Sequence, residues 1–201
     1  MIKNVIFDLG QVLYAFKPKE YMLELGYSQE DVGQILGNSA AWELWREYDR
    51  GTYNRQSLIA EMAKLFPEKE EDIRKILSGG FIDGAIKIIP ENVEFFYEVK
   101  GRGYKVYILS NIFDDGIARL VERDAFLADA DGIIASAHHL TIKPEHKIYQ
   151  ILLDKYSLIP EECVFIDDLE ANIAAAKELG IHGIRFTSLE DCKEQFESLV
   201  N

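Results

Sequence analysis

Three times along this 201-residue chain, a run of apolar, strand-forming residues ends abruptly on polar, reactive ones. Asp8 follows Val5-Ile6-Phe7, Ser110-Asn111 follow the apolar run 106–109, and Asp167-Asp168 follow Val164-Phe165-Ile166. Short uninterrupted apolar runs suit strands covered on both faces. In an open parallel sheet the carboxyl ends of the strands form the ligand crevice, so three such endings can converge on one site. A lone aspartate after a strand commonly caps a helix or shapes a turn. Three coincident endings are harder to explain that way, and the adjacent like charges of Asp167-Asp168 are costly unless a cation sits nearby. Lys143-Pro144-Glu145 adds a fourth element. Pro144 suits the first position of a helix, and the lysine, set beside the other three, reads as a group that neutralises phosphate.

The rest of the chain is organised around those endings. From residue 88 onward, helical stripes alternate with buried strands, separated by Gly, Asn or Asp. A helix over 91–100 has Val93, Phe96, Tyr97 and Lys100 on its inner face, Pro90 before it, and Gly101 and Gly103 to stop it. Strands are expected over 104–109, 132–135, 163–166 and 181–186. Helices are expected over 116–123, from 145 (Ile148, Tyr149, Leu152, Leu153, Tyr156), before Gly180 (Ile173, Ala176 inward) and over 189–200. This order implies an α/β fold, a doubly wound, mostly parallel sheet with helices on both faces. Residues 15–87 break the pattern and read as a helical insert. One face carries Leu58, Ile59, Met62, Ala63 and Phe66, a second Trp42 and Trp45, and a third Ile73, Ile76 and Leu77. Turns are marked at Gly26, Gly51-Thr52, Pro67 and Gly79-Gly80. The expected division is a core of 1–14 and 88–201 and an inserted helical bundle of 15–87.

Charge narrows the partners. With 22 Lys+Arg against 35 Asp+Glu, the net charge is −13, which argues against nucleic acid and anionic membrane surfaces and favours a divalent cation. Cys163 and Cys192 make no C-x-x-C pair and suit a reducing cytoplasm as small buried hydrophobes. The N-terminal apolar stretch is cut by Asp8 before it could serve as a signal core, and no window reaches the ~18 apolar residues of a membrane span, so a soluble cytoplasmic protein is expected.

Four segments together carry a resemblance: Phe7-Asp8-Leu9-Gly10-Gln11-Val12-Leu13, Leu109-Ser110-Asn111, Lys143-Pro144-Glu145-His146-Lys147-Ile148-Tyr149 and Phe165-Ile166-Asp167-Asp168-Leu169-Glu170-Ala171-Asn172. In order and spacing the chain resembles the haloacid dehalogenase-like (HAD) hydrolase superfamily over essentially its whole length. The 15–87 insert stands where that family carries a cap. Within the superfamily the chain looks most like the bacterial sugar-phosphate phosphatases that include glucose-1-phosphate phosphatase, and like the phosphatase domain of epoxide hydrolases. The stretch Trp45-Arg46-Glu47-Tyr48-Asp49-Arg50-Gly51 is similar to that branch as well.

The resemblance implies a Mg²⁺-dependent phosphatase of small phosphorylated metabolites, sugar phosphates such as a sugar 1-phosphate. Asp8 would be the nucleophile that forms an aspartyl-phosphate. Gly10, Ser110, Asn111 and Lys143 would surround the phosphoryl group, and Mg²⁺ would be held by Asp8, the Gly10 carbonyl and Asp168, with Asp167 as a further or outlying ligand. The chain departs from the family in one respect. Most such phosphatases carry a second aspartate two residues after the nucleophile as general acid and base, and here that position is Gly10. Loss of such a group typically removes about 10²–10⁴-fold in rate, which favours a leaving oxygen that departs easily. Asp114-Asp115 and Asp49 are candidate substitutes. His138-His139 reads as a surface loop, and Trp42, Trp45 and Tyr48 read as the core of the insert. Two alternatives stand beside the phosphatase: a 2-haloacid dehalogenase, to which Gly10 would be harmless, and a non-catalytic binder of phosphorylated metabolites.

Overall fold

In a computed structural model describing residues 1–200, the chain begins with β1 (Asn4–Phe7) and β2 (Tyr14–Phe16). The helices α1 (Pro18–Glu24), α2 (Gln29–Leu36), α3 (Ser39–Arg50), α4 (Arg55–Leu65), α5 (Glu70–Ile76) and α6 (Phe81–Ala85) come next, and then β3 (Ile86–Ile88). Beyond them lie α7 (Pro90–Gly101), β4 (Lys105–Ser110), α8 (Asp114–Arg123), β5 (Gly132–Ala135), α9 (His146–Tyr156), β6 (Cys163–Asp167), α10 (Glu170–Glu178), β7 (His182–Arg185) and α11 (Leu189–Val200).

The main sheet runs β5-β4-β1-β6-β7 with its neighbours parallel. β1 lies at its centre, which is why its apolar run does not alternate: both faces and both edges are covered. Val5, Phe7, Val106, Ile108, Val164 and Ile166 turn to one side, where Phe95, Phe96, Val99 and Phe196 of α7 and α11 cover them. Ile6, Tyr107, Leu109 and Phe165 turn to the other, against Ile148, Tyr149, Leu152, Ile173 and Ala176 of α9 and α10. The doubly wound parallel sheet is therefore as the sequence predicts. Its register fixes the height of the strand ends. Phe7 is paired with Ile108 on one side and Ile166 on the other, so the chain leaves all three strands at nearly the same level.

Two local expectations are corrected. In α7 the inner face is Asn92, Val93, Phe95, Phe96 and Val99, whereas Tyr97 is exposed and bonds Asp129, and Lys100 pairs with Asp131. Both carry polar ends that reach water-side partners, and Val99 fills the inward position that they do not. Pro144 does not open α9. That helix begins at His146 with Glu145 as its cap, and Pro144 lies in the preceding turn after a cis Lys143–Pro144 bond.

Between β2 and β3 the chain is helical. The two strands pair antiparallel, Tyr14 with Ile88 and Phe16 with Ile86, in a ribbon through which the segment leaves and rejoins the sheet. Three residues per strand are too few to leave a period in the sequence. Leu58, Ile59, Met62, Ile73, Ile76 and Leu77 are buried as expected, in the same apolar cluster as the sheet and as Leu13, Tyr14, Phe81 and Phe113. Trp42 departs from its expected place: it is 43% exposed, with its indole N–H donated to the Leu36 carbonyl. Cys163 and Cys192 are buried free thiols. No helix among the described residues is long and apolar enough to cross a membrane.

Candidate active site

Asp8 is the first residue past β1. Its peptide N–H still bonds the Ile166 carbonyl at 2.9 Å, which fixes its side chain at the sheet's rim. Carboxylate Oδ1 accepts from the Leu9 N–H at 2.7 Å and pairs with Lys143 Nζ at 2.8 Å. The ammonium of Lys143 is 3% exposed and spends all three of its protons, on Asp8, on Asp167 Oδ2 at 2.7 Å and on the Leu109 carbonyl at 2.9 Å. Asp167 is wholly buried at the end of β6. Its oxygens also accept from the Leu169 N–H at 2.8 Å and from Asn172 Nδ2 at 2.9 and 3.0 Å.

One ammonium between two carboxylates leaves a net negative charge in a buried place, and the titration of the group reflects this. Burial, reinforced by Asp167, pushes the Asp8 carboxyl up to about 7 against the pull of Lys143. Burial opposes the charge on Lys143, but both carboxylates outweigh it and raise its pKa, so it stays protonated. Asp168 is half-buried, and burial followed by the Asp167 charge raises its carboxyl too. Oxygens of Asp8, Asp167 and Asp168 all lie within 4.8 Å of one another. This donor set, all hard oxygen and short of positive charge, fits Mg²⁺. Asp167 is filled with donors and Asp168 faces the cavity, so Asp168 is the better placed of the pair to ligate directly.

That cavity, ≈ 230 Å³, lies over the strand ends. Asp8, Gly10, Ser110, Asn111 and Asp168 line it from the strand ends, together with Phe16, Trp45, Asp49 and Ile86 of the segment between β2 and β3 and with Phe113 and Leu120. Gly10 sits in a tight turn in which Leu13 and Tyr14 donate back to the Leu9 carbonyl and Gln11 takes the left-handed conformation at φ 54°. Ser110 is buried at the tip of β4.

Every predicted site residue is thus brought to one place, but not always in the expected posture. The Asn111 side chain is not free for a phosphoryl group. Its Nδ2 donates to the Lys143 carbonyl at 3.0 Å and its Oδ1 accepts the Lys143 N–H at 2.7 Å, so the side chain clasps the lysine's backbone. Only its peptide is left for a ligand. Asp114 and Asp115 drop out as substitute acids. The first pairs with His138, and the second accepts the Tyr48 hydroxyl and pairs with Arg55, away from the floor. His138 is a surface residue, as expected. Tyr48 stacks on Phe113 at 4.3 Å, and Trp45 packs edge-on against both, so this aromatic group joins insert to sheet while Trp45 also reaches the cavity. Asn172 has no role that its sequence context announces beyond one signal, its place in the first turn of α10, five residues after Asp167.

Comparison with known proteins agrees with this arrangement. The chain is 27% identical to a sesquiterpene phosphatase of Aspergillus oryzae, over 96% of this chain and 94% of that one. It is 21% identical to a D-ribitol-5-phosphate phosphatase of Bacteroides thetaiotaomicron over the full length of both. A crystal structure of a HAD family enzyme from Bacteroides thetaiotaomicron, in complex with magnesium and inorganic phosphate, superposes with a TM-score of 0.76 at 20% identity, covering 98% of this chain and 100% of that one; this likeness concerns the fold. A family model spans residues 2–180, and on that match, with the sheet and the rim that it carries, the chain belongs to the haloacid dehalogenase-like hydrolases.

Proposed function

We propose that this hydrolase is a Mg²⁺-dependent phosphatase of small phosphorylated metabolites, working through Asp8, with residues 15–87 as a cap over the site. The observation that carries this reading is the buried bridge Asp8–Lys143–Asp167 beside Asp168, a net negative rim at the mouth of a cavity with an apolar wall. The phosphatase names of the two full-length relatives support it.

Asp8 attacks phosphorus to give an aspartyl-phosphate, and water then releases phosphate, so one hard displacement becomes two easier ones. Lys143 holds Asp8 in its attacking orientation and offsets charge on the transferred group. Ser110 and the Asn111 peptide donate to the phosphoryl oxygens. Asp8, Asp168 and the Gly10 carbonyl would hold Mg²⁺, whose positive charge would supply Lewis-acid stabilisation of the phosphoryl group and draw the Asp8 carboxyl back into its ionised form. Asn172 and the Leu169 N–H hold Asp167 in place.

For the substrate we take sugar phosphates, a sugar 1-phosphate first, because an anomeric oxygen departs without strong help and Gly10 offers none. A second reading, a phosphate of an apolar alcohol, is favoured by the wall of Phe16, Trp45, Ile86, Phe113 and Leu120. The test is phosphate release from sugar 1-phosphates, sugar 6-phosphates, acyl phosphates and prenyl phosphates, with Mg²⁺ and with chelator, using Asp8→Asn as the blank. Release that needs both Asp8 and Mg²⁺ is the expected result. Halide release from 2-haloacids that survives chelation would replace the phosphatase with a dehalogenase. Ligand-induced stabilisation with no release from any substrate would leave a silent binder.

A further inference from the structure

At Gly10 there is room for an acid and no acid: a Cβ built there meets nothing within 4 Å. The same cavity is lined by Asp49, at the end of α3. No lysine or arginine pairs with it among the described residues. The Phe113 peptide N–H and the more distant Lys143 charge only partly oppose the cost of burying its charge. Its neighbours on the chain are anchored to the rim. The Asp49 carbonyl accepts the Ser136 hydroxyl, and Arg50 pairs with Glu145 at 2.7 Å, two residues past Lys143. At Gly51 (φ 89°) the backbone lies so close to the sheet side that a Cβ would collide with the Ala137 carbonyl oxygen. A carboxylate with no ion-pair partner, held through its own carbonyl and the two residues that follow, and lining the same ≈ 230 Å³ cavity as the nucleophile, is placed to serve the leaving group.

We propose that Asp49 is the general acid and base of this enzyme, supplied by the insert in place of the aspartate missing at Gly10. Burial, with the Asp8 charge adding to it, raises its carboxyl well above the ordinary range, so a proton is available to give. As Asp8 attacks phosphorus and the bond to the leaving oxygen breaks, the Asp49 proton passes to that oxygen and the alcohol departs. The Asp49 carboxylate then takes a proton from water as the water oxygen attacks the aspartyl-phosphate. The bond from phosphorus to Asp8 breaks, phosphate leaves and Asp49 is protonated again. This inference rests on the phosphatase reading, and it widens the substrates to monoesters of ordinary alcohols.

The experiment compares wild type, Asp49→Asn and Asp49→Asn/Gly10→Asp on p-nitrophenyl, phenyl and ethyl phosphate with Mg²⁺. Asp49→Asn keeps the side chain's size and removes its proton. It is expected to lose about 10²–10⁴-fold on ethyl phosphate and far less in the first turnover of p-nitrophenyl phosphate. There, one equivalent of nitrophenolate should appear in a burst while the aspartyl-phosphate awaits its base. Gly10→Asp in that background should restore turnover, which no packing role for Asp49 would predict. Equal loss on all three esters, with no burst and no rescue, overturns the proposal, as does full retention of ethyl phosphate turnover. Should Asp49→Asn unfold, Asp49→Glu decides: it retains an acid, and a steep new dependence on the leaving group in that variant would count against the role. Wild type inactive on every ester, or indistinguishable from Asp8→Asn, would sink the phosphatase reading itself, and this inference with it.

Discussion

The two walls of the cavity are held by opposite kinds of force. At the sheet's rim, position is set by charge and hydrogen bonding with almost no slack: Lys143 spends each of its protons, and both oxygens of Asp167 are occupied. On the insert side, the wall is an aromatic pile in which Trp45 touches Phe16, Tyr48, Phe81 and Phe113 at centroid distances of 5.3–5.8 Å. Directional bonds fail all at once when one partner is removed, whereas packed rings lose energy in proportion to what is taken away and can settle again. The floor therefore suits a group whose geometry never changes, and the wall suits whatever part of a substrate varies.

The contrast can be broken most forcefully at Lys143. Replacing it with methionine leaves two buried carboxylates facing each other uncompensated, and Lys143→Met should cost about 3–5 kcal/mol in urea unfolding and abolish phosphate release. A variant that unfolds like wild type would show that the floor is less tightly determined than its bonding suggests. Trp45→Ala probes the other wall. Truncating a half-buried ring should cost about 2–3 kcal/mol, and kinetically it should raise KM while the Mg²⁺ requirement is unchanged. Loss of metal dependence in that variant would mean that the walls are not separable.

The smallest effect sharpens the comparison with a bonded carboxylate remote from the cavity. Asp131, just before β5, is partly buried, which alone would raise its pKa, but the Val106 N–H, Lys100 and Lys105 outweigh burial and hold it at about 2. A carboxyl held below its unfolded value of about 4 stabilises the fold above that value, and the contribution drains away as pH falls toward 2. Asp131→Asn should therefore be about 1 kcal/mol less stable at pH 7, after allowance for solvent screening, with only a small part of that gap left at pH 2. Thermal unfolding across that range checks the closing gap.

The same contrast governs what the sequence disclosed. Asp8, Ser110, Lys143, Asp167 and Asp168 were legible because parallel register forces strand ends to one level, and polar residues interrupting apolar runs mark those ends. At Asn111 the sequence shows the position but not the side chain's posture, since its amide is taken by a backbone 32 residues away that no local pattern announces. Tyr97 passed for a core residue because periodicity counts a ring as apolar and does not see the hydroxyl reaching Asp129. Asp49 could be named only as one candidate among several. Its standing depends on how α3 lies across the rim, and that is settled by Ser136, Glu145 and Ala137, all of them distant in sequence.

The short ribbon of β2 and β3 has a consequence for how such a chain can change over time. Because Phe16 and Ile86 already sit paired, the sheet bears the entropy of bringing the ends of the intervening segment together whatever that segment contains. Chain-closure entropy grows only logarithmically, so doubling the segment's length would cost only about 0.6 kcal/mol more. The insert-side lining of the cavity can thus be lengthened, shortened or exchanged by insertion and recombination, while the strand ends keep their register.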